Sequence, residues 1–199
     1  MRSDYETNHL RTAVASIALM LATPAQAHEV FGIGGIPGGL LHPLLVPSHV
    51  LALVALSLLI GQQARRSAVL VALFALGMIA GLIVIVSAFA TDRANDAVLT
   101  VAAVAGVVVA LARPLWLAAA VLAAAAGIAI ELDSVPQEIS MMATFLALVA
   151  TIISAVLAVL VLSALAASCR RHWQRVGMRV AGSWIAAIAI LTLAFRLTR

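Results

Sequence analysis

Three of the five histidines of this 199-residue chain fall between His28 and His49, in HEVFGIGGIPGGLLHPLLVPSH. Imidazole nitrogens are ligands for nickel, cobalt, copper and zinc. His42 and His49 stand seven residues apart. On a regular helix they share a face but are separated by about 10.5 Å along the axis. That is too far for one ion whose bonds to nitrogen are about 2 Å long. Pro43 and Pro47 change the geometry. Each lacks an N–H, and each pushes the residue before it out of helical conformation. The spacing therefore predicts His42 at a helix start or turn and a backbone break at Val46-Pro47. Broken helices at membrane depth line cavities, where transporters hold ions. The other reading is a pair of interfacial histidines at a kinked helix end.

His28 offers a second kind of ligand. Arg2 and Arg11, the apolar run Ala13 to Ala22, and Ala25-Gln26-Ala27 have the three parts of a secretory signal. Cleavage after Ala27 makes His28 the first residue, with a free α-amine beside its imidazole. The two can chelate one cation, because the amine has a reference pKa of only ~8 and a metal displaces its proton. Glu29 adds an adjacent carboxylate. A solvated, frayed terminus is the alternative.

The elements that must position these groups are apolar. Hydrophobic residues make up 64% of the chain and charged residues 10%, with a mean hydropathy of +1.16. Soluble domains run at roughly 45–50% and 25%. The long Ala/Leu-rich segments lack period-2 alternation, so they read as helices rather than barrel strands. The expected fold class is all-α: a polytopic membrane helix bundle of about six transmembrane helices. Its domains are a signal peptide over 1–27 and one bundle over 28–199. The spans are expected at about Leu40–Ile60, Ala68–Ala90, Ala97–Ala112, Leu115–Ile130, Ile139–Ala167 and Val180–Phe195.

All twelve basic residues are arginine. They sit at the ends of apolar segments rather than on one face, so they read as topology signals and not as a nucleic-acid surface. With His28 periplasmic, Arg65, Arg66, Arg113, Arg170, Arg171, Arg175 and Arg179 face the cytoplasm, as the positive-inside rule requires. The expected location is the bacterial inner membrane, multi-pass. The same topology sends Glu29, Asp92, Asp96, Glu131, Asp133 and Glu138 outward. Glu131, Asp133 and Glu138 form one outer loop in this reading. Glu131 abuts the fourth span and is the best placed of the three to join the histidines, although a solvated loop explains all three.

Other signals are weaker. Gly77 and Gly81 make a GxxxG, a packing motif that serves within a chain or in a homo-oligomer. Ser57, Ser87, Thr144, Thr151 and Ser154 are the polar residues placed to line a path or to bond across helices. Cys169 is the single cysteine, which excludes an internal disulfide. No convergent acid/base set points to an enzyme, and no motif points to a prosthetic group. No acid or arginine falls inside an expected span, which favours a facilitator over a proton-coupled pump.

The layout of signal peptide, mature His28, glycine-rich segment, His-Pro-x-x-x-x-x-His and six spans resembles the HupE/UreJ family of small bacterial membrane proteins. Where that family reads His-Pro-x-x-Gly-x-Asp-His, this chain has His42-Pro43-Leu44-Leu45-Val46-Pro47-Ser48-His49. Both histidines and the first proline match. Val46 replaces the glycine and Ser48 the aspartate. The family's second, histidine-rich motif corresponds to Ala126–Glu131, which keeps Gly127 and Glu131 but no histidine. The resemblance implies a permease for Ni2+ or Co2+, with His42 and His49 as its first-span motif; together with His28, Glu29 and Glu131 they are the candidate metal-handling residues. It leaves open a non-transporting assembly or interaction protein on the same scaffold.

The signal-peptide reading is checked by N-terminal sequencing of the purified protein. The expected first residue is His28, and a chain that still begins at Met1 removes the amine–imidazole chelate.

Overall fold

A computed structural model describes residues 35–87, 93–113, 115–136 and 140–198. The expected signal peptide, His28, Glu29, Asp92 and Glu138 lie outside the described residues. The described residues are mostly helical: α1 (Gly35–Leu45), α2 (Pro47–Gly61), α3 (Ser67–Val86), α4 (Ala94–Leu111), α5 (Trp116–Asp133), α6 (Met141–Ser168) and α7 (His172–Leu197), with one 3-10 turn at Ala64–Arg66. Five helices are long and apolar enough to cross a membrane. The pair α1–α2, bent by 66°, makes a sixth if counted as one broken span. The chain is therefore an all-α membrane protein whose apolar outer faces meet lipid.

The bend has the cause its sequence predicts. Val46 is extended (φ −78°, ψ 117°), and Pro47 opens α2 at its first turn, where a missing N–H costs nothing. Pro43 lies inside α1 and withdraws the amide that a helix supplies to the carbonyl four residues earlier, at Gly39. Thr151 of α6 fills that vacancy: its Oγ1 donates to Gly39 O at 3.0 Å, and Ser154 Oγ donates to Leu40 O at 2.6 Å. The close approach needs Gly39, since a Cβ there overlaps the Ala147 backbone. Two of the expected path-lining residues thus fasten α1 to α6. Ser57, Ser87 and Thr144 donate to carbonyls of their own helices or caps, at Leu53, Ile83 and Ser140. All five hydroxyls donate to backbone carbonyls, two of them across helices.

Helix α2 is the axis of the bundle. Leu53, Leu56, Leu59 and Ile60 are buried along it, and α4, α5 and α6 pack around it. Helices α3 and α5 cross closely through glycines: a Cβ on Gly77 overlaps Ala124 O, and one on Gly127 falls against Phe74 O and 2.7 Å from Met78 N. The GxxxG face is therefore occupied within one chain, the first of the two uses the motif allows. Gly106 and Gly182 make the equivalent crossing of α4 and α7.

Several span ends differ from the sequence reading. Helix α4 begins at Ala94, α5 runs on to Asp133, and α7 begins at His172. Asn95, Asp96, Glu131, Asp133, Arg175 and Arg179 are helical residues, not loop residues. Glu131 and Asp133 thus lie inside a spanning helix, so the expectation that no acid falls inside a span is corrected. The reason is local at α7, where the Gln174 side chain caps the Arg171 amide at 3.0 Å and arginine is a good helix former. At α4 and α5 it is tertiary, because the polar side chains find partners on neighbouring helices.

Two glycine substitutions should act with opposite sign. Gly127→Val drives a side chain into the backbone of α3 and should cost about 1–3 kcal/mol or more. Gly177→Ala, where nothing stands within 4 Å of the new Cβ, should stabilise α7 by up to ~1 kcal/mol. Thermal melting of the purified protein in detergent reads both.

Candidate functional site

The break at Val46 folds α1 back towards α2 and brings the two histidines together. Their ring centroids are 5.2 Å apart and the rings are edge-to-face at 71°. A continuous helix holds such a pair about 10.5 Å apart. At the observed separation both imidazoles are within reach of one ion with metal–nitrogen bonds of about 2 Å. His49 is completely buried and His42 partly so.

A carboxylate orients His49. Its Nε2 lies 2.9 Å from Asp133 Oδ2, across 84 residues of sequence. A carboxylate oxygen accepts, so Nε2 donates, and in the neutral ring the lone pair is left on Nδ1. His49 Nδ1 is buried and has no hydrogen-bond partner among the described residues. A ligating histidine in a metal site has this arrangement, with one nitrogen tied to a carboxylate and the other open.

Asn95 locks the assembly. Its Nδ2 donates to Asp133 Oδ2 at 2.8 Å and to Ser48 Oγ at 2.8 Å. Helices α2, α4 and α5 thus meet in one network of Ser48, His49, Asn95 and Asp133. Asp133 carries the carboxylate of this network, and Ser48 reaches it through Asn95.

Glu131 stands apart from this network. It is fully buried on α5, its two carboxylate oxygens have no partner among the described residues, and it lies against Gly81 of α3. Two residues from Asp133, it projects about 200° away around the helix and about 3 Å nearer the middle of α5. Among the described residues no three His, Cys, Asp or Glu side chains converge to hold a metal. The structure therefore joins His42 with His49, adds Asp133 and Asn95, and leaves Glu131 on a neighbouring face. His28 and Glu29 lie outside the described residues.

The sequence reading did not single out Asn95 and placed Asp133 in a loop. One signal pointed to Asp133. A motif that keeps its histidine and loses the adjacent aspartate needs a carboxylate from elsewhere, and the end of the fourth span offers one. Asp96, at the start of α4, is taken by Arg196 of α7 at 2.8 Å and is not part of the site.

The family model described as HupE / UreJ protein matches residues 16–192, most of the chain. No curated protein and no solved structure matches the chain significantly.

Removing the carboxylate should strand buried donors. Asp133→Ala leaves His49 Nε2 without its acceptor and Asn95 Nδ2 with Ser48 Oγ alone, and should cost about 1–3 kcal/mol, with Asn95→Ala milder. Thermal melting measures both, and an unchanged Asp133→Ala protein contradicts the network.

Proposed function

Because the chain belongs to the HupE/UreJ family, we propose that it carries a divalent transition metal, Ni2+ or Co2+, from the periplasm into the cytoplasm across the bacterial inner membrane. The observation that carries this reading is the pairing of His42 with His49 across the proline break, with Asp133 holding His49 so that Nδ1 is open. Two neutral imidazoles are borderline ligands that suit nickel and cobalt. The low ligand count suits a carrier, which must release its cargo.

In this reading His28 and Glu29, at a mature N-terminus freed by signal cleavage, capture the ion. His42 and His49 receive it at the outer mouth of the bundle. Asp133 fixes the ring and lowers the electrostatic cost of bringing a dication to a buried position. Glu131 is the next acceptor inward, a buried carboxylate whose oxygens have no partner among the described residues. A second reading, a membrane assembly or interaction protein on the same scaffold, draws on the absence of a three-ligand cluster among the described residues.

Metal accumulation in cells separates the two. Expression of the wild type should raise cellular nickel or cobalt. His42→Ala and His49→Ala should bring uptake down to the level of cells without the protein, and Glu131→Gln should reduce it. Uptake that survives both histidine substitutions overturns the site, and no metal-dependent uptake by the wild type favours the second reading.

A further inference from the structure

At the end of the bundle opposite the histidines, a cavity of about 560 Å3 opens where α2, α4, α6 and α7 come together. Four arginines line it: Arg113 after α4, Arg170 between α6 and α7, and Arg175 and Arg179 in the first turns of α7. Among the described residues no carboxylate lines it. The described acids, Asp96, Glu131 and Asp133, all sit at the other end. Asp96 and Arg113 mark opposite ends of α4, a helix about 27 Å long. None of the four arginines makes an ion pair among the described residues. Arg179 is held to the cavity wall by its Nε, which donates to Ala110 O at 3.0 Å. Gln62, also in the lining, donates to Val109 O at 3.1 Å.

Topology alone does not explain this convergence. Arginines that only set orientation need no common focus. Arg65, Arg66 and Arg171 lie at the same end without lining the cavity, and Arg66 stacks over Trp116 at 4.4 Å. The lining arginines come from three separate segments and face one space. Guanidinium groups match phosphate oxygens in paired hydrogen bonds, and four uncompensated ones repel a metal cation. Basic pockets between spanning helices hold anionic headgroups.

The geometry points to a phosphate-binding site in this cavity, which takes a phosphate group from an anionic phospholipid headgroup or from free phosphate. It goes beyond the transport reading and does not depend on it. The cavity exceeds the volume of one bare phosphate, and its alanine and methionine walls accommodate an apolar extension.

The full-length protein tests this in two arms. Native mass spectrometry in neutral detergent counts retained phosphatidylglycerol. Calorimetric titration of inorganic phosphate into zwitterionic nanodiscs measures the free anion. One saturable equivalent in the first arm identifies the lipid source, and in the second the free anion. Arg170→Ala/Arg175→Ala should weaken the binding at least tenfold. Arg113→Ala, in another segment, should weaken it too and serves if the double variant misfolds. Arg65→Ala, outside the cavity, should stay within twofold. Absence of one-to-one binding in both arms overturns the site, as does an equal loss in Arg65→Ala.

Discussion

The carbonyl oxygen of Gly39 has no helical donor, because Pro43 stands where the donor should be. In a hydrocarbon environment such a group costs several kcal/mol unless the protein supplies a partner. Thr151 supplies it, and the requirement that it do so pins α1 to α6. With α1 fixed, the second proline turns the chain at Val46 and sends α2 through the centre of the bundle. The approach of His42 to His49 follows from those two steps. Neither histidine needs to attract the other, since the backbone has already placed them.

The carboxylate at the site is a second case of non-local supply. His49 is buried on every side, and a buried imidazole needs a partner for its N–H. Asp133 fills that need from the last turn of α5, and Asn95 holds Asp133 from the first turn of α4. A helix end is a favourable place for such residues, because its side chains meet both the apolar interior and the polar boundary. The result is a polar knot of three helix ends closed around one ring, at one end of an otherwise aliphatic core.

How far the sequence could be read depended on whether the physics was local. Proline chemistry is local, so the break at Val46-Pro47 and its consequence for the histidine pair were legible. Hydrophobic runs are local, so the spans and the all-α class were legible too. Their ends were not. Asn95, Asp96 and Asp133 read as loop because their partners lie tens of residues away. Thr151 and Ser154 are polar residues in a greasy helix, and their purpose appears only when α1 lies beside them. The glycines of α3 were legible as a packing face, but whether the opposing surface belonged to the same chain was a tertiary question.

The fastening of α1 to α6 reaches beyond the histidines. Helix α6 has 28 residues and is about 42 Å long, more than a bilayer core requires. One part of it carries Thr151 and Ser154; its far end leads into Ala166, Ala167 and Arg170 at the arginine-lined cavity. A slide of α1 along α6 would expose the Gly39 carbonyl to hydrocarbon, so the two helices move as one rod. The mouth of the bundle and its opposite end thus share a single mechanical member, and a tilt that opens one must reposition the wall of the other.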